Sequence, residues 1–380
     1  MKRVICFIVM IVLLASSSSF VCLAEQEQAV IDLSCPSAIL IERSTGEVLY
    51  EKDADTKRPM ASVTKIMTLL LIMEALEQNR FSGEDMVTCS EHAVSMGGSQ
   101  IYLKEGESLS VSDMIKAITV SSANDAAVAM GEYVAGSDPA FIKMMNDRAA
   151  ELKMENTHFE NCTGLDAENH YSTARDISIM SAELLKHDMI RDYTTIWMDT
   201  LRDGAFGLSN TNKLVRFYEG CTGLKTGSTS KALYCMSASA KRNDMELIAV
   251  VMASPTSPKR FEDAKKLLNY GFAGYELYSK EVKLPERIKV IGAKEEAAGV
   301  TGTKNVSILV VKGAGAKINV DIKMDESVTA PAEKGMQVGS VSFVMDEEIL
   351  CNYPIVLSDN VEKATFWDIF LQIILVFLTV

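Results

Sequence analysis

The sequence predicts an α/β protein that carries a second, smaller domain built of strands. Strand-like runs occur near the beginning of the chain and again from about residue 223, and a helix-rich stretch separates them. Strands at both ends with helices between them imply one layered structure whose sheet is completed late in the chain. From about residue 277 the chain changes to short Val/Ile-rich runs separated by Gly, Lys and Pro, which indicates a separate small all-β domain.

The α/β part begins with a predicted β-hairpin and a buried helix. Residues 38–41 (AILI) and 48–50 (VLY) flank the turn-forming residues 44–46 (STG). Residues 62–76 form the first helix of a helix-rich stretch that ends near His187. This helix is apolar nearly all round, so we expect it to run through a core rather than over a surface.

Later elements are marked by caps and by a turn. Capping boxes that open two helices are predicted at Ser110 with Asp113 and at Thr173 with Asp176. The later elements are predicted as strands 232–240 and 246–253, joined by a turn at 241–244, a helix at 261–270, and strands 306–311, 318–322 and 338–344 of the small domain.

The first 24 residues have the pattern of an export signal. Residues 2–3 (KR) are basic, residues 4–15 are apolar, and residues 22–24 (CLA) resemble a small-residue cleavage site. A retained anchor is the alternative, but the apolar run is short for a membrane span. Lipidation of Cys22 is a weaker alternative, because the residues before it lack the usual pattern.

The other end, residues 364–380, is almost wholly apolar and is predicted to be a membrane-attached helix. A helix of this length spans about 26 Å, short of the ~30 Å hydrocarbon core. We therefore expect it to lie in the interface, with Trp367 at headgroup level. The alternative is a helix buried in a partner or in the protein's own core. The polar residues fall on one narrow stripe of the helix: Thr365, Asp368, Gln372 and Thr379.

Charge and cysteine content exclude several classes of protein. The formal net charge is -13, which argues against a nucleic-acid partner. No CxxC pair occurs, so neither a zinc site nor a redox motif is supported, and no metal or organic cofactor is implied. Export permits disulfides, but isolated buried thiols are the expected state of the six cysteines that follow the signal, which are Cys35, Cys89, Cys162, Cys221, Cys235 and Cys351.

Three short motifs carry the predicted chemistry. Residues 62–65 read SVTK at the start of the buried helix, residues 122–124 read SAN in a connector between helices, and residues 225–227 read KTG at the opening of a strand. Ser62 and Lys65 are three apart and share a helical face, so the amine can reach the hydroxyl. Serine is a weak nucleophile until a base takes its proton, and lysine can serve as that base only when neutral.

The surroundings of these motifs favour a neutral lysine and an acyl-transfer site. Burial and a second cation, Lys225, both favour the neutral amine of Lys65. Ser62 at a helix N-terminus has free backbone N–H groups beside it. Gly227 lets a substrate backbone lie close against the strand. The three motifs together therefore indicate a serine acyl-transfer site.

In these motifs the chain resembles the penicillin-binding protein and serine β-lactamase superfamily. More narrowly, it resembles the low-molecular-weight D-alanyl-D-alanine carboxypeptidases over nearly all of the mature chain. The resemblance implies a β-lactamase/transpeptidase-like fold, with an antiparallel sheet flanked by helices, a helical subdomain and a small C-terminal β domain. Besides the three motifs, it rests on residues 58–61 (RPMA), 170–176 (HYSTARD), 210–214 (NTNKL) and 223–224 (GL).

The resemblance also implies a role for each site residue. Ser62 attacks the carbonyl between two terminal D-alanines of a peptidoglycan stem peptide, Lys65 is the base and Ser122 relays protons. The backbone N–H groups of Ser62 and Ser228 form the oxyanion hole. Penicillins acylate such enzymes. The substrate-binding residues implied in addition are Asn124 for the substrate amide, Lys225 for electrostatics, Thr226 for the terminal carboxylate, Gly227, and Arg260 as a carboxylate partner.

Implied domain boundaries are a signal peptide at 1–24, the carboxypeptidase domain at 25–276, the β domain at 277–363 and an anchor helix at 364–380. The protein is then expected on the outer face of the cytoplasmic membrane. Ala123, where many relatives have glycine or aspartate, is expected to be tolerated. The terminal helix lacks the basic residues that such anchors often carry.

Alternatives remain for residues and for function. Ser62 could only cap its helix, Asn124 could be a turn residue and Arg260 could be solvated. His170 suggests a Ser-His-Asp triad, but a complete lysine-based set makes a structural role the expectation. Cys221 and Cys235 are expected to serve packing. Functional alternatives are a β-lactamase, a catalytically silent peptidoglycan-binding protein, and an endopeptidase activity.

Overall fold

The computed structural model describes residues 31–370 and residue 374, and these fall into two compact units that divide between Leu277 and Tyr278. The predicted signal peptide lies outside the described residues. The predicted terminal helix is described only in part, as helix over residues 366–370 and at residue 374.

Among its described residues, the first unit contains nine strands and nine α-helices that end before residue 275. One further strand, Tyr275–Glu281, crosses the boundary between the units and is given with the second unit. Two irregular turns belong to the site: a 3-10 helix at Ala61–Thr64 and a π-helical turn at Ala117–Ser121. The strands are β1 (Ser37–Glu42), β2 (Val48–Lys52), β3 (Met86–Thr88), β4 (Ser108–Ser110), β5 (Met198–Leu201), β6 (Phe206–Ser209), β7 (Cys221–Thr229), β8 (Leu233–Arg242) and β9 (Met245–Ser254). The α-helices are α1 (Lys65–Glu77), α2 (Glu91–Val94), α3 (Val111–Lys116), α4 (Asn124–Ala135), α5 (Asp138–Glu151), α6 (Ala174–Leu184), α7 (Ile190–Thr194), α8 (Leu214–Phe217) and α9 (Ser257–Gly274).

The main sheet has five antiparallel strands in the order β2-β1-β9-β8-β7, which confirms that it is completed late in the chain. The predicted hairpin is β1–β2, with Leu40 opposite Tyr50. Because side chains alternate along a strand, the sheet is apolar on both faces. Ile39 and Ile248 belong to the core cluster that includes the helices of the subdomain, whereas Leu40 and Leu247 contact Gly271 of α9 on the other face.

Helix α1 runs through the core, as its apolar sequence predicts. All its residues from Lys65 to Met73 are buried, and Ser62 precedes it on the 3-10 turn. The caps are confirmed, because Ser110 accepts a hydrogen bond from the N–H of Asp113 and Thr173 accepts one from that of Asp176. The helix and the strands predicted after residue 230 are also confirmed, because the structure has a helix or a strand at each of those places.

Two element boundaries differ from the predictions. The KTG motif was expected to open a strand, but it lies in the interior of β7, because a bulge between Cys221 and Gly223 lets the strand begin earlier. Helix α9 is longer than the predicted 261–270, because the side chain of Thr256 caps it at the N–H of Lys259.

The second unit is all-β, as predicted for the small domain. Its six-stranded sheet has the order β14-β16-β17-β12-β11-β15, and β10 pairs with β13. The strands are β10 (Tyr275–Glu281), β11 (Arg287–Ile291), β12 (Ala297–Gly302), β13 (Asn305–Val311), β14 (Asn319–Met324), β15 (Val328–Thr329), β16 (Gln337–Met345) and β17 (Glu348–Leu357). Among the described residues, no helix has both the length and the apolarity that a membrane crossing requires.

Candidate active site

Lys65 lies at the centre of the site and is fully buried. Its Nζ donates to Ser62 Oγ at 3.1 Å, to Asn124 Oδ1 at 2.5 Å and to the carbonyl of Thr163 at 2.7 Å. The contact with Ser62 spans the three-residue spacing of the motif. The structure therefore brings the first two motifs together around one amine whose partners are all uncharged oxygens.

Burial lowers the pKa of Lys65 to about 7, although the charges of Cys162 and Asp125 act in the opposite direction. An ordinary lysine titrates near ~10.4, so near neutral pH it is almost wholly protonated. At a pKa of about 7, a large fraction of Lys65 is the neutral amine at pH 7. The site can therefore hold a base next to the Ser62 hydroxyl.

Ser122 ends the π-helical turn in a left-handed conformation, with a φ of 63°. Its side chain is buried, and its Oγ has no hydrogen-bond partner among the described residues. In particular, no hydrogen bond joins it to Lys65 in that part of the chain. Asn124, which begins α4, donates from Nδ2 to the carbonyl of Gly97 at 2.6 Å. Asn124 is thus held at both ends of its amide, at the start of a helix rather than in a turn.

The third motif lies on β7, the edge strand of the main sheet. Lys225 is buried and its Nζ donates to the carbonyl of Thr226 at 3.3 Å. Burial, followed by repulsion from Lys65 and from Arg260, moves the pKa of Lys225 well below its usual range. Thr226 Oγ1 donates to Thr211 Oγ1 at 2.8 Å. Ser228, the next residue but one, is exposed at the strand edge.

Gly227 is where β7 meets the nucleophile's own backbone. A Cβ at this position would lie 2.7 Å from the nitrogen of Ser62 and 2.9 Å from that of Val63. Such distances are too short for real side chains. The expectation was that glycine makes room for substrate, and the structure adds another reason, because the 3-10 turn already occupies that space.

Arg260 lies under β7 with 7% of its surface exposed, so the alternative of a solvated residue is wrong. Its Nη1 donates to the carbonyl of Gly227 at 3.0 Å and to that of Cys235 at 3.4 Å. Burial lowers its pKa to about 10. The guanidinium also lies over the rings of Tyr234 and Phe261. Arg260 therefore brings a positive charge to the back of the KTG strand.

His170 contacts the hydroxyl of Thr64, two residues after the nucleophile, rather than Ser62 itself. A Ser-His-Asp triad is therefore absent at this histidine. All six described cysteines are free. Burial raises the pKa of Cys235 to about 11, which fits an unreactive packing thiol.

Sequence reasoning missed three site residues: Thr64, Thr163 and Thr211. Thr163 acts through its backbone carbonyl, which no side-chain pattern reveals. Thr211 lies inside the NTNKL segment, so the position was noticed but its contact with Thr226 was not. Within the described residues, no group of three or more His, Cys, Asp or Glu side chains could hold a metal ion.

Two family models match this chain. One is described as D-alanyl-D-alanine carboxypeptidase and matches residues 23–256. The other is described as penicillin-binding protein 5, C-terminal domain, and matches residues 272–363.

Relatives with a known name match over most of their length. D-alanyl-D-alanine carboxypeptidase DacF of Bacillus subtilis is 44% identical over 336 residues, 87% of this chain and 86% of the relative. DacC of Escherichia coli is 33% identical over 382 residues, 93% of this chain and 94% of the relative.

Solved structures give the same picture for the fold. Penicillin-binding protein 5 from Haemophilus influenzae has a TM-score of 0.78 at 29% identity, covering 88% of this chain and 99% of that one. Penicillin-binding protein D2 from Listeria monocytogenes in an ampicillin-bound form has a TM-score of 0.59 at 33% identity, covering 64% of this chain and 99% of that one. The transpeptidase-like fold with its C-terminal β domain is confirmed.

Proposed function

The chain belongs to the D-alanyl-D-alanine carboxypeptidase family and is a serine-type enzyme of that activity, a penicillin-binding protein, and from this premise we propose how its residues divide the work. The observation that carries the proposal is the 3.1 Å contact between Lys65 Nζ and Ser62 Oγ in a buried site. Ser62 is the nucleophile, and neutral Lys65 is the base for acylation.

The reaction follows the usual order of acyl transfer. Lys65 takes the proton of Ser62 as Oγ attacks the carbonyl carbon of the bond between the two D-alanines. The backbone N–H groups of Ser62 and Ser228 bind the resulting oxyanion. The proton passes through Ser122 to the leaving amine, the C–N bond breaks and D-alanine leaves. Water then hydrolyses the ester on Ser62, which releases a stem shortened by one residue.

Substrate binding is proposed along the edge of β7. An exposed strand edge offers backbone donors and acceptors to an extended peptide. Asn124 holds the amide of the acyl part, Gly227 keeps the strand close to the nucleophile, and Thr226 receives the terminal carboxylate. Arg260 supplies positive potential that favours a substrate with a free carboxylate, and the amine of Lys225 contributes to the electrostatics of the site. β-Lactams are proposed to acylate the same Ser62.

The location of the protein is also part of the proposal. A signal peptide at 1–24 exports the chain, residues 25–276 act on the stem peptide, and residues 277–363 form the accessory β domain. The helix at 364–380 attaches the protein to the outer face of the membrane. Its support is a cluster of mostly exposed rings, Phe366, Trp367 and Phe370, which suits an interface.

The decisive experiment compares the mature chain in detergent with its Ser62→Ala variant. Both are incubated with a muropeptide ending in D-Ala-D-Ala, and released D-alanine is quantified. A parallel sample measures covalent labelling by a fluorescent penicillin. Release and labelling that both disappear in the variant support the assignment of Ser62. Activity that persists in the variant contradicts it. Labelling without release leaves acylation of Ser62 intact but contradicts the D-Ala-D-Ala terminus as the acyl donor.

A further inference from the structure

Behind the nucleophile, a chain of hydrogen bonds runs from a buried histidine to the peptide that carries the Ser62 N–H. The backbone N–H of Glu160 donates to His170 Nδ1 at 3.0 Å. Because Nδ1 accepts, the proton of the neutral ring is on Nε2, which therefore donates to Thr64 Oγ1 at 2.7 Å. The Thr64 hydroxyl is then free to donate its own proton to the carbonyl of Ala61 at 2.8 Å.

The ring of His170 is suited to this fixed direction of donation. It is 3% exposed and lies edge-to-face against Phe159. Burial lowers its pKa to about 4, with the charges of Glu160 and Asp166 opposing the shift. The imidazole is therefore neutral at the pH where the enzyme works, and the three bonds keep one orientation.

The carbonyl at the end of this chain belongs to the same rigid unit as the Ser62 N–H. In a trans peptide the C=O of one residue and the N–H of the next point in opposite directions in one plane. The direction of the Ala61 carbonyl therefore sets the direction of the Ser62 N–H. Ala61 has a φ of 50°, a region that residues other than glycine seldom adopt, so this peptide needs outside support.

Two glycines lie close to the peptide between Ala61 and Ser62. A Cβ on Gly164 would lie 1.9 Å from the Ala61 carbonyl oxygen, and a Cβ on Gly227 would lie 2.7 Å from the Ser62 nitrogen. Glycine at both positions leaves the peptide room but little freedom to tilt. The Ser62 N–H has no hydrogen-bond acceptor among the described residues, so it remains available to a ligand.

We propose that Thr64 and His170 are positioning residues that aim the Ser62 N–H at the substrate oxyanion through the Ala61 carbonyl. The inference rests on the proposed function, because it assigns a support to the oxyanion hole. It gives Thr64, the third residue of the SVTK motif, the role of holding the Ala61 carbonyl. It also gives His170 a part in catalysis without any contact between the imidazole and the substrate.

The test compares Thr64→Val, which removes the hydroxyl but keeps the shape, with Thr64→Ser, which keeps the hydroxyl. Ser178→Ala is the control, because Ser178 is buried in α6 and its hydroxyl donates to a carbonyl of its own helix, that of Arg175, at 2.7 Å. Two values are measured: kcat/KM for D-alanine release, and the inhibition constant of a peptidyl boronic acid. Its tetrahedral adduct on Ser62 places an oxygen where the oxyanion forms.

Loss of one oxyanion donor costs about 100- to 1,000-fold, so its misalignment in Thr64→Val is expected to lower kcat/KM about 10- to 30-fold. Boronate affinity should fall by the same factor. The midpoint of the pH profile should stay near that of wild type, because Lys65 keeps its contacts. Thr64→Ser and Ser178→Ala should remain within about threefold of wild type. A folded Thr64→Val with wild-type values, or a Thr64→Ser variant equally impaired, overturns the proposal.

A second pair of variants decides the matter if Thr64→Val does not fold. In His170→Gln the side-chain amide can replace the Nε2–H donor, whereas in His170→Asn the amide oxygen can replace only the Nδ1 acceptor. The glutamine variant should be the more active, and equal or reversed activities contradict the inference. Failure of the proposed function would give a different result: the wild-type protein would neither release D-alanine nor be labelled by penicillin.

Discussion

Replacement of Gly227 by alanine tests how closely β7 must approach the nucleophile. The added Cβ would lie 2.7 Å from the Ser62 nitrogen, 2.9 Å from the Val63 nitrogen and 3.0 Å from the Cβ of Ala61. Two of the three neighbours are backbone atoms, so no side chain can rotate away. Ordinary contact begins at 3.4 Å, so the strand and the 3-10 turn must part by about 0.7 Å.

The size of this separation gives the expected loss of activity. Misplacement of reacting groups by 1 Å costs about 100-fold in rate, so 0.7 Å corresponds to about 30-fold. We expect this loss both in kcat/KM for D-alanine release and in the rate constant for acylation by a fluorescent penicillin. Overpacking of this kind also lowers the free energy of unfolding by about 1–3 kcal/mol, measured by denaturant titration.

Gly207→Ala is the matched control for Gly227→Ala. Gly207 also lies in a strand, β6, but a Cβ there would meet no heavy atom within 4 Å. This variant should keep wild-type acylation and stability. The reasoning is refuted if a folded Gly227→Ala variant is acylated at the wild-type rate.

Three further predictions concern the base, the core and the thiols. The value of kcat/KM should rise with pH through a midpoint at about 7 and then level off, because only neutral Lys65 accepts a proton; a midpoint near 10 in a pH–rate profile would contradict the lowered pKa. Phe141→Ala should lower the free energy of unfolding by about 3–5 kcal/mol in denaturant titration, since Phe141 is fully buried against Gly131, whereas Phe217→Ala, at a 63% exposed ring, should cost no more than about 1.5 kcal/mol. The mature protein, unfolded without reductant, should titrate six thiols with Ellman's reagent, and reductant should leave its thermal midpoint unchanged; fewer thiols would indicate a disulfide.

The elements and contacts that depend on spacing within one segment could be predicted from the sequence. The Ser62–Lys65 contact follows from helical periodicity, and the buried course of α1 follows from its apolar sequence. The fold class and the late completion of the sheet follow from the order of strand-like and helix-like runs. These features need no knowledge of which segments meet in space.

The features that were missed depend on distant segments or on backbone atoms. Thr163 holds Lys65 through a carbonyl, a group that every residue possesses. The KTG motif looks like the start of a strand, but a bulge between Cys221 and Gly223 lets β7 begin earlier. Arginine side chains are mostly exposed, so the residue type alone predicts a surface position for Arg260. Its burial is explained by the carbonyls of β7 and β8, to which the guanidinium donates.

The site concentrates three basic groups without a matching carboxylate partner. Lys65, Lys225 and Arg260 are all buried, and none of them forms an ion pair with any residue in the described part of the chain. Burial of unpaired cations is unfavourable, and the lowered pKa of each group reflects that cost.

The burial of these three basic groups bears on the reaction in two ways. Desolvation lowers the pKa of both lysines, and repulsion from Lys65 and Arg260 lowers that of Lys225 further. We propose that the neutral form of Lys65 acts as the base. We propose that the positive charge that remains near pH 7, on the Arg260 guanidinium behind β7, is balanced when a substrate brings a carboxylate to the edge of that strand. A peptide that ends in a free carboxylate is therefore favoured over an internal one, because only the former supplies the missing negative charge. In this proposal, the burial of basic groups that lack a carboxylate partner underlies both the activation of Ser62 and the preference for a chain terminus.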